Sequence, residues 1–280
     1  MSQSAEPIRR ATLITHGKPE TIGPALARVE ALARASGVTL SLPEDELDKH
    51  GRDQAAGDPD SPDIGIVLGG DGTMLRALQR FLGTSVPVIG VNFGTIGFLT
   101  AIRPDRLEED LRRVFAGDLQ VVELPTLEAD VGGIRRTAVN DVVVTSATLG
   151  RMVELDWSVG GEHLGRQRCD GVISATPVGS TGYNLSNGGP VMVWGLDAMA
   201  VTFIAPHSLD ARPLVVPRSR DLAVVNATPD VAVSVLADGH EVSRVDPGGR
   251  VDVRLGALRS RLATLPESTF FTRYRETFAT

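Results

Sequence analysis

IGIVLGGDGTMLRALQRF, residues Ile64–Phe81, holds the strongest local signal in the chain. Ile64–Leu68 reads as a strand buried in a sheet. Three glycines and one carboxylate follow, and then a helix over Thr73–Phe81. Glycine permits positive φ and lets the backbone come close to a ligand. The amides of Gly69, Gly70 and Gly72, with the helix N-terminus at Thr73, make an anion site suited to phosphates. Asp71 is out of place there, because its charge repels phosphate. It serves as a general base taking a hydroxyl proton, as a ligand for a bridging metal ion, or as the cap of a tight turn. The loop lacks the G-x-x-x-x-G-K-[ST] spacing, and lysine occurs only at Lys18 and Lys49. Charge on a transferred phosphoryl group would then be met by amides, a metal ion or arginine. Arg76, one turn into the helix, is that arginine or else an exposed helix residue.

Strand and helix signals alternate on either side of this loop. Ala11–Thr15 reads as a buried strand. Residues 22–36 read as a helix with Ile22, Leu26, Val29 and Leu32 on one face, closed by Gly37. Val38–Leu42 is a second strand, and the acidic run 44–63 reads as a solvated surface connection. Pro87–Val91 is a further strand, running into the second glycine-rich turn, GVNFGTIGFL at residues 90–99. Such alternation predicts a parallel sheet with helices on its faces. Both glycine-rich turns then lie at the carboxyl edge of that sheet, where ligands collect.

Beyond about residue 118 the pattern changes to short alternating runs. Gly132-Gly133, Gly160-Gly161, Asp238-Gly239 and Gly248-Gly249 mark turns between them. Val139–Thr145, Leu155–Val159, Val201–Ala205, Val231–Ala237 and Val251–Leu255 read as strands. Leu155, Trp157 and Val159 fall on one face of theirs, with Asp156 and Ser158 on the other. The expected organisation is an α/β domain with a parallel sheet over 1–118 and a mostly β domain over 119–265. A weakly helical tail, 266–280, is expected to pack back on the first domain.

Composition narrows the function classes. Aromatics are only 4% of the chain, so the core must be aliphatic. A net charge of −7 argues against general nucleic-acid binding and against docking on anionic membranes. No apolar run approaches the roughly 20 residues that span a bilayer, and Met1–Arg10 lacks the apolar stretch of a secretory signal. Cys169 is the only cysteine, so neither an intramolecular disulfide nor a cysteine-based zinc site can form. It reads as a small buried residue. His16, His50 and His163 form no metal-spaced cluster. The expected location is the cytoplasm.

Two further motifs carry candidate chemistry. Asn140-Asp141 interrupts the apolar run Ala138–Val144. The pair is either a solvent-facing position with its neighbour or a pair that hydrogen-bonds ligand hydroxyls such as a ribose diol. DGVISATPVGSTGYNLSNGGP, residues 170–190, is a strand entering a loop dense in hydroxyls and glycine. It is either a surface loop or a surface that reads a purine and its sugar. Asp238, in Asp238-Gly239-His240, reads as a hairpin turn residue.

Together, GGDGT, NFGTIGFL, the Asn140-Asp141 strand, the 170–190 stretch and APHSLDARPLVVP resemble the NAD kinase family in order and spacing. The likeness covers roughly residues 64–100 and 138–217, with a weaker one around Asp238 and the tail. GGDGT is shared with lipid kinases and, in related form, with phosphofructokinases. The long hydroxyl-rich motif decides the family. What the resemblance implies is a two-domain α/β plus β fold and phosphorylation of the adenosine ribose 2′-hydroxyl of NAD to give NADP. ATP or polyphosphate would be the donor, with Mg²⁺ as counter-ion held mainly by the ATP phosphates rather than by protein side chains. The family's catalytic aspartate matches Asp71, and its phosphate loop matches Gly69, Gly70, Gly72 and Thr73, with Arg76 nearby. Positions around NAD match Asp71, Gly72, Phe98, Asn140, Asp141, Asp170, Ser180, Thr181, Gly182, Tyr183, Ser186 and Asp238. The resemblance also implies a homodimer or homotetramer with no nucleic-acid or membrane partner. Three positions depart from the family pattern. Asp141 stands for a glutamate, Val178 for a threonine or serine, and Gly182 for an alanine. Two rival readings share the loop: a lipid kinase, disfavoured by the acidic chain, and a nucleotide sensor that binds NAD(P) without catalysis.

Overall fold

The computed structural model describes residues 6–17, 19–51, 61–94, 97–208 and 210–279. The chain divides into two units, one running to Glu123 and resuming at Ser260, the other spanning Leu124–Arg259. These limits differ from the expected ones at 118 and 265, because the two boundary-crossing segments are single long strands rather than linkers.

The first unit is built from β1 (Arg10–Thr15), α1 (Pro19–Ala35), β2 (Thr39–Ser41), α2 (Glu44–Lys49), β3 (Ile64–Gly69), α3 (Asp71–Arg80), β4 (Val88–Asn92) and α4 (Leu107–Phe115). The strands are parallel, in the order β2-β1-β3-β4. Every residue of β3 is buried, as befits a central strand covered on both faces. The predicted face of α1 is buried too: Ile22, Leu26, Val29 and Leu32 all join the core, and Gly37 ends the segment at φ 69°.

Two helices depart from the sequence reading. The acidic run 44–63 is not wholly a solvated connection, because Glu44–Lys49 folds as α2. Glu44, Asp45 and Glu46 occupy its first turn and Lys49 its last, the order that a helix dipole favours. Residues 52–60 of that run lie outside the described residues. α4 was not predicted, although Leu107, Leu111, Val114 and Phe115 are all buried and recur at helical spacing.

The second unit continues with β5 (Gln120–Val131), β6 (Ile134–Ala138), β7 (Asp141–Ser146), β8 (Val153–Val159), β9 (Glu162–Cys169) and β10 (Gly171–Ala175). A single turn of helix, α5 (Tyr183–Ser186), precedes β11 (Ala198–Ile204), β12 (Leu214–Pro217), β13 (Leu222–Asn226), β14 (Val233–Ala237), β15 (His240–Val245) and β16 (Arg250–Thr264). Strands β16, β13, β8 and β9 form one antiparallel sheet, with β5 paired to β16 and β6. The second sheet runs β12-β11-β10-β7-β14-β15, also antiparallel. Their facing sides share one aliphatic core that includes Val142, Val144, Leu155, Val172, Leu222 and Val253. Trp157 closes it edge-on against Phe203, with ring centroids 5.2 Å apart. Leu155, Trp157 and Val159 all contact this core, as their alternation predicts.

The end of β16 returns to the first unit, where Leu262 pairs in parallel with Val88 of β4. The helix α6 (Phe270–Phe278) follows. The side chain of Thr269 caps it by accepting from the Thr272 amide at 3.2 Å. Arg113 of α4 pairs with Glu267 just before it, at 2.5 Å. No helix among the described residues is long and apolar enough to cross a membrane.

Candidate active site

In the first unit, β3 ends at Gly69 and α3 begins at Asp71, with Gly70 between them as a cap that offers no side chain. A Cβ on Gly69 would lie 2.5 Å from the Thr73 hydroxyl oxygen, so only glycine lets the strand turn so tightly into the helix. Beside this turn lies a cleft of about 400 Å³, lined by His16, Gly17, Gly70, Gly72, Thr73, Arg76, Phe93 and Gly94. Four of the five phosphate-loop residues expected from sequence thus border one cleft, with Gly69 behind them. Around Gly72 no heavy atom stands within 4 Å of where a Cβ would sit. Protein packing therefore leaves space beside its α-carbon. His16 and Gly17, at the end of β1, join the cleft without any motif of their own. Phe93 and Gly94 come from the second glycine-rich turn, whose Thr95 and Ile96 lie outside the described residues.

The Asp71 carboxylate accepts the amides of Phe98 at 2.9 Å and Leu99 at 3.0 Å. Burial pushes its pKa above the ordinary carboxylate value. Those two amides and the guanidinium of Arg273 oppose the rise without cancelling it. A carboxylate in this position is a stronger base than one in water. The Phe98 ring, expected from the resemblance at the NAD site, is buried at 2% exposure against Phe270 and Phe278. What Phe98 offers the site is its amide.

Arg76 is tied into a buried polar cluster that the sequence reading placed in solvent. Its Nη2 donates to the Thr15 carbonyl at 2.6 Å and to Glu46 Oε1 at 3.1 Å. Glu46 is fully buried, and Lys49 donates to the same oxygen at 2.7 Å. Thr15 donates its hydroxyl to the other carboxylate oxygen and also meets His50 Nε2 at 2.9 Å. Two cations and a hydroxyl satisfy the buried charge. The Arg76 side chain remains 45% exposed at the cleft.

In the second unit, Asn140-Asp141 does not interrupt a strand. β6 ends at Ala138 and β7 begins at Asp141, so Asn140 occupies the corner between them. Asp238 holds that corner. Its carboxylate accepts the amides of Val139 and Asn140 at 2.7 Å each, and that of Asp141 at 3.2 Å. Asp238 is the hairpin residue that the sequence predicted, at φ 49°, and its own amide donates to the Asp141 carbonyl at 3.0 Å. Burial, and secondarily the charge of Asp238, raises Asp141 to about 6. The Asn140 side-chain oxygen is buried and accepts no hydrogen bond.

The hydroxyl-rich loop closes on the same corner. The Thr176 amide donates to the Asn140 carbonyl at 2.8 Å, and a Cβ on Gly179 would fall 2.1 Å from that oxygen. Ser180 is fully buried, donating to the Pro177 carbonyl at 2.7 Å and accepting the Met192 amide at 2.9 Å. Its work is structural. Thr181 is half-buried, while Gly182, Tyr183 and Ser186 are exposed along the outer edge of the turn. Asn184, which no motif singled out, is fully buried and ties the loop together. Its amide donates to the Ser180 and Pro190 carbonyls at 3.1 Å, and its oxygen accepts from Thr202 at 2.7 Å. Asp170 lies between β9 and β10 with its side chain exposed, and its carbonyl accepts the Thr145 hydroxyl at 2.8 Å. Cys169 is buried and its thiol is pushed up to about 12, chiefly by that burial, which rules it out as a nucleophile near neutral pH. Among the described residues, no group of three or more His, Cys, Asp or Glu stands where it could hold a metal ion.

Residues 40–119 match the family described as ATP-NAD kinase N-terminal domain, and residues 139–265 match the ATP-NAD kinase C-terminal domain. The NAD kinase of Symbiobacterium thermophilum is 38% identical over 276 residues, covering 95% of this chain and 97% of its own. That of Heliobacterium modesticaldum is 39% identical over 219 residues, covering 76% and 77%. Among solved structures, an NAD kinase from Archaeoglobus fulgidus in complex with ATP matches with a TM-score of 0.76 at 27% identity, covering 96% of this chain and 97% of that one. A yeast NADH kinase complexed with NADH shares the fold, with a TM-score of 0.82 at 24% identity, covering 98% and 88%.

Proposed function

The chain belongs to the NAD kinase family, whose members phosphorylate NAD to NADP with ATP, and on that premise we propose that Asp71 is the general base for transfer to the adenosine ribose 2′-hydroxyl. The carrying observation is the half-buried Asp71 carboxylate at the head of α3, held by two backbone amides beside a glycine-lined cleft. Asp71 accepts the hydroxyl proton as the ribose oxygen bonds to the γ-phosphorus. The bond from that phosphorus to the bridging oxygen breaks, and ADP leaves. The donor phosphates lie over Gly70, Gly72 and Thr73 in the cleft at the N-terminus of α3, an end of a helix that favours anions. Arg76 adds positive charge from the same cleft. ATP is the donor in this reading, with polyphosphate as an alternative of the same chemistry.

Mg²⁺ fits as a companion of the triphosphate, because both Asp71 oxygens already accept amides and no multidentate side-chain cage stands among the described residues. Bound there, it would offset charge on the phosphates. NAD is read by the Asn140–Asp141 corner. The unpartnered Asn140 oxygen suits a donor such as a ribose hydroxyl, and half-buried Thr181 with exposed Gly182, Tyr183 and Ser186 line the loop beside it. Asp238 and Ser180 act by holding these elements. A cytoplasmic, homo-oligomeric enzyme completes the proposal, with exposed Leu214 and Val215 on edge strand β12 available for self-association.

NADP formation from NAD, ATP and Mg²⁺, read through an NADP-specific dehydrogenase, tests the assignment. Asp71→Asn is expected to lower turnover by about 10²-fold or more while the protein stays folded. Turnover within a few-fold of the unmodified protein would remove Asp71 as the base. NAD binding without NADP formation, from either donor, would point to the sensor instead.

A further inference from the structure

We propose that Arg273, on the C-terminal helix α6, is a positioning residue for Asp71, clamping the turn whose amides hold that carboxylate and placing a positive charge near it. The inference rests on Asp71 being the base.

The turn in question is Gly97–Leu99. Its last two amides donate to the two Asp71 oxygens, at 2.9 and 3.0 Å. Its first carbonyl, that of Gly97, accepts from Arg273 Nη1 at 3.3 Å. One short segment is thus gripped on one side by the candidate base and on the other by a guanidinium. The ring of Phe98 anchors its middle, edge-on to Phe270 at 5.5 Å and tilted against Phe278 at 6.0 Å. Both partners belong to α6, so the helix holds the turn through aromatic packing and through Arg273 together. The Arg113–Glu267 ion pair and the Thr269 cap fix the start of that helix.

Charge points the same way. Arg273 is the charged side chain that acts on Asp71, and Glu276, one turn further along α6, acts on Arg273. Burial holds the guanidinium below its ordinary value, while Glu276 and Asp71 work against that fall. The guanidinium still stays protonated at any working pH. A half-buried cation near a half-buried carboxylate favours the ionised carboxylate, which is the form a base requires. Removing the cation raises the pKa of Asp71, so activity fails at a higher pH on the acid side.

The test uses the full chain and the pH dependence of kcat/KM for NAD. Arg273→Gln keeps a donor for the Gly97 carbonyl without the charge, Arg273→Met removes both, and Arg273→Lys keeps the charge. The acid limb is expected to move up by about one pH unit in the Gln and Met variants, about tenfold less activity below the limb, and to stay in place in the Lys variant. A purely structural role would lower turnover without moving the limb. Unmoved limbs in folded Gln and Met variants, whatever their turnover, would overturn the proposal. If Arg273→Met fails to fold, the Gln and Lys pair decides it. Asp71→Asn in the same assay separates the two readings. Near-normal turnover there removes the base itself, whereas an inactive Asp71→Asn with an unmoved Arg273→Gln limb removes only the role of Arg273.

Discussion

Replacing Asp141 by asparagine should stabilise the protein at neutral pH while weakening its use of NAD. The carboxyl lies at 9% exposure, and burial with the nearby charge of Asp238 raises its pKa from the ordinary 3.8 to about 6. A raised carboxyl pKa means that the folded state holds its proton more tightly than the unfolded chain does. Ionising it in the fold therefore costs about 3 kcal/mol, a cost fully present above pH 6 and relieved as pH falls toward 4. Asparagine has nearly the same shape and no charge to bury. Thermal melts should show Tm higher by about 5–10 °C at pH 7.5, with the difference closing toward pH 4.5. The KM for NAD should rise in the same variant, since the charged acceptor proposed to read ligand hydroxyls has become a neutral amide. A Tm at or below that of the unmodified protein across this pH range would refute the idea that Asp141 is retained against stability.

Glu46→Gln should raise the KM for ATP about tenfold and leave that for NAD unchanged, because Arg76 loses the carboxylate that aims it at the cleft. Steady-state kinetics with each substrate varied in turn decides it, and an unchanged ATP KM would detach Arg76 from the donor site. Asn184→Ala orphans the Ser180 and Pro190 carbonyls and the Thr202 hydroxyl. It should destabilise the protein by about 2–4 kcal/mol, seen as a lower urea midpoint.

Features encoded by neighbours in the chain were readable in the sequence. The apolar run Ile64–Leu68 followed by glycines predicts a buried strand ending in an open turn, and the structure has it. The Asp238-Gly239 turn is equally local. What that turn does is not. The Asp238 carboxylate reaches the Asn140 amide, 98 residues earlier, and the β6–β7 corner exists because of that contact. Glu46 shows the opposite failure. Its acidic surroundings speak for solvent, yet tertiary pairing with Arg76, Lys49 and Thr15 draws it fully inside. α4 was legible, since Leu107, Leu111, Val114 and Phe115 recur at helical spacing just before the expected boundary at 118. Arg273 carries no motif, and only the position of α6 gives it a role.

The path of β16 bears on how the protein is made. The parallel sheet that presents Asp71 takes its fifth strand, and the turn that grips Asp71 takes its supporting helix, from residues beyond Ser260. A ribosome releases these only after the whole of the second unit has emerged. The first unit thus waits on residues made after the second. A nascent chain can fold its second unit while the turn around Asp71 still lacks its contact with Arg273, and the emergence of α6 becomes the step that completes it.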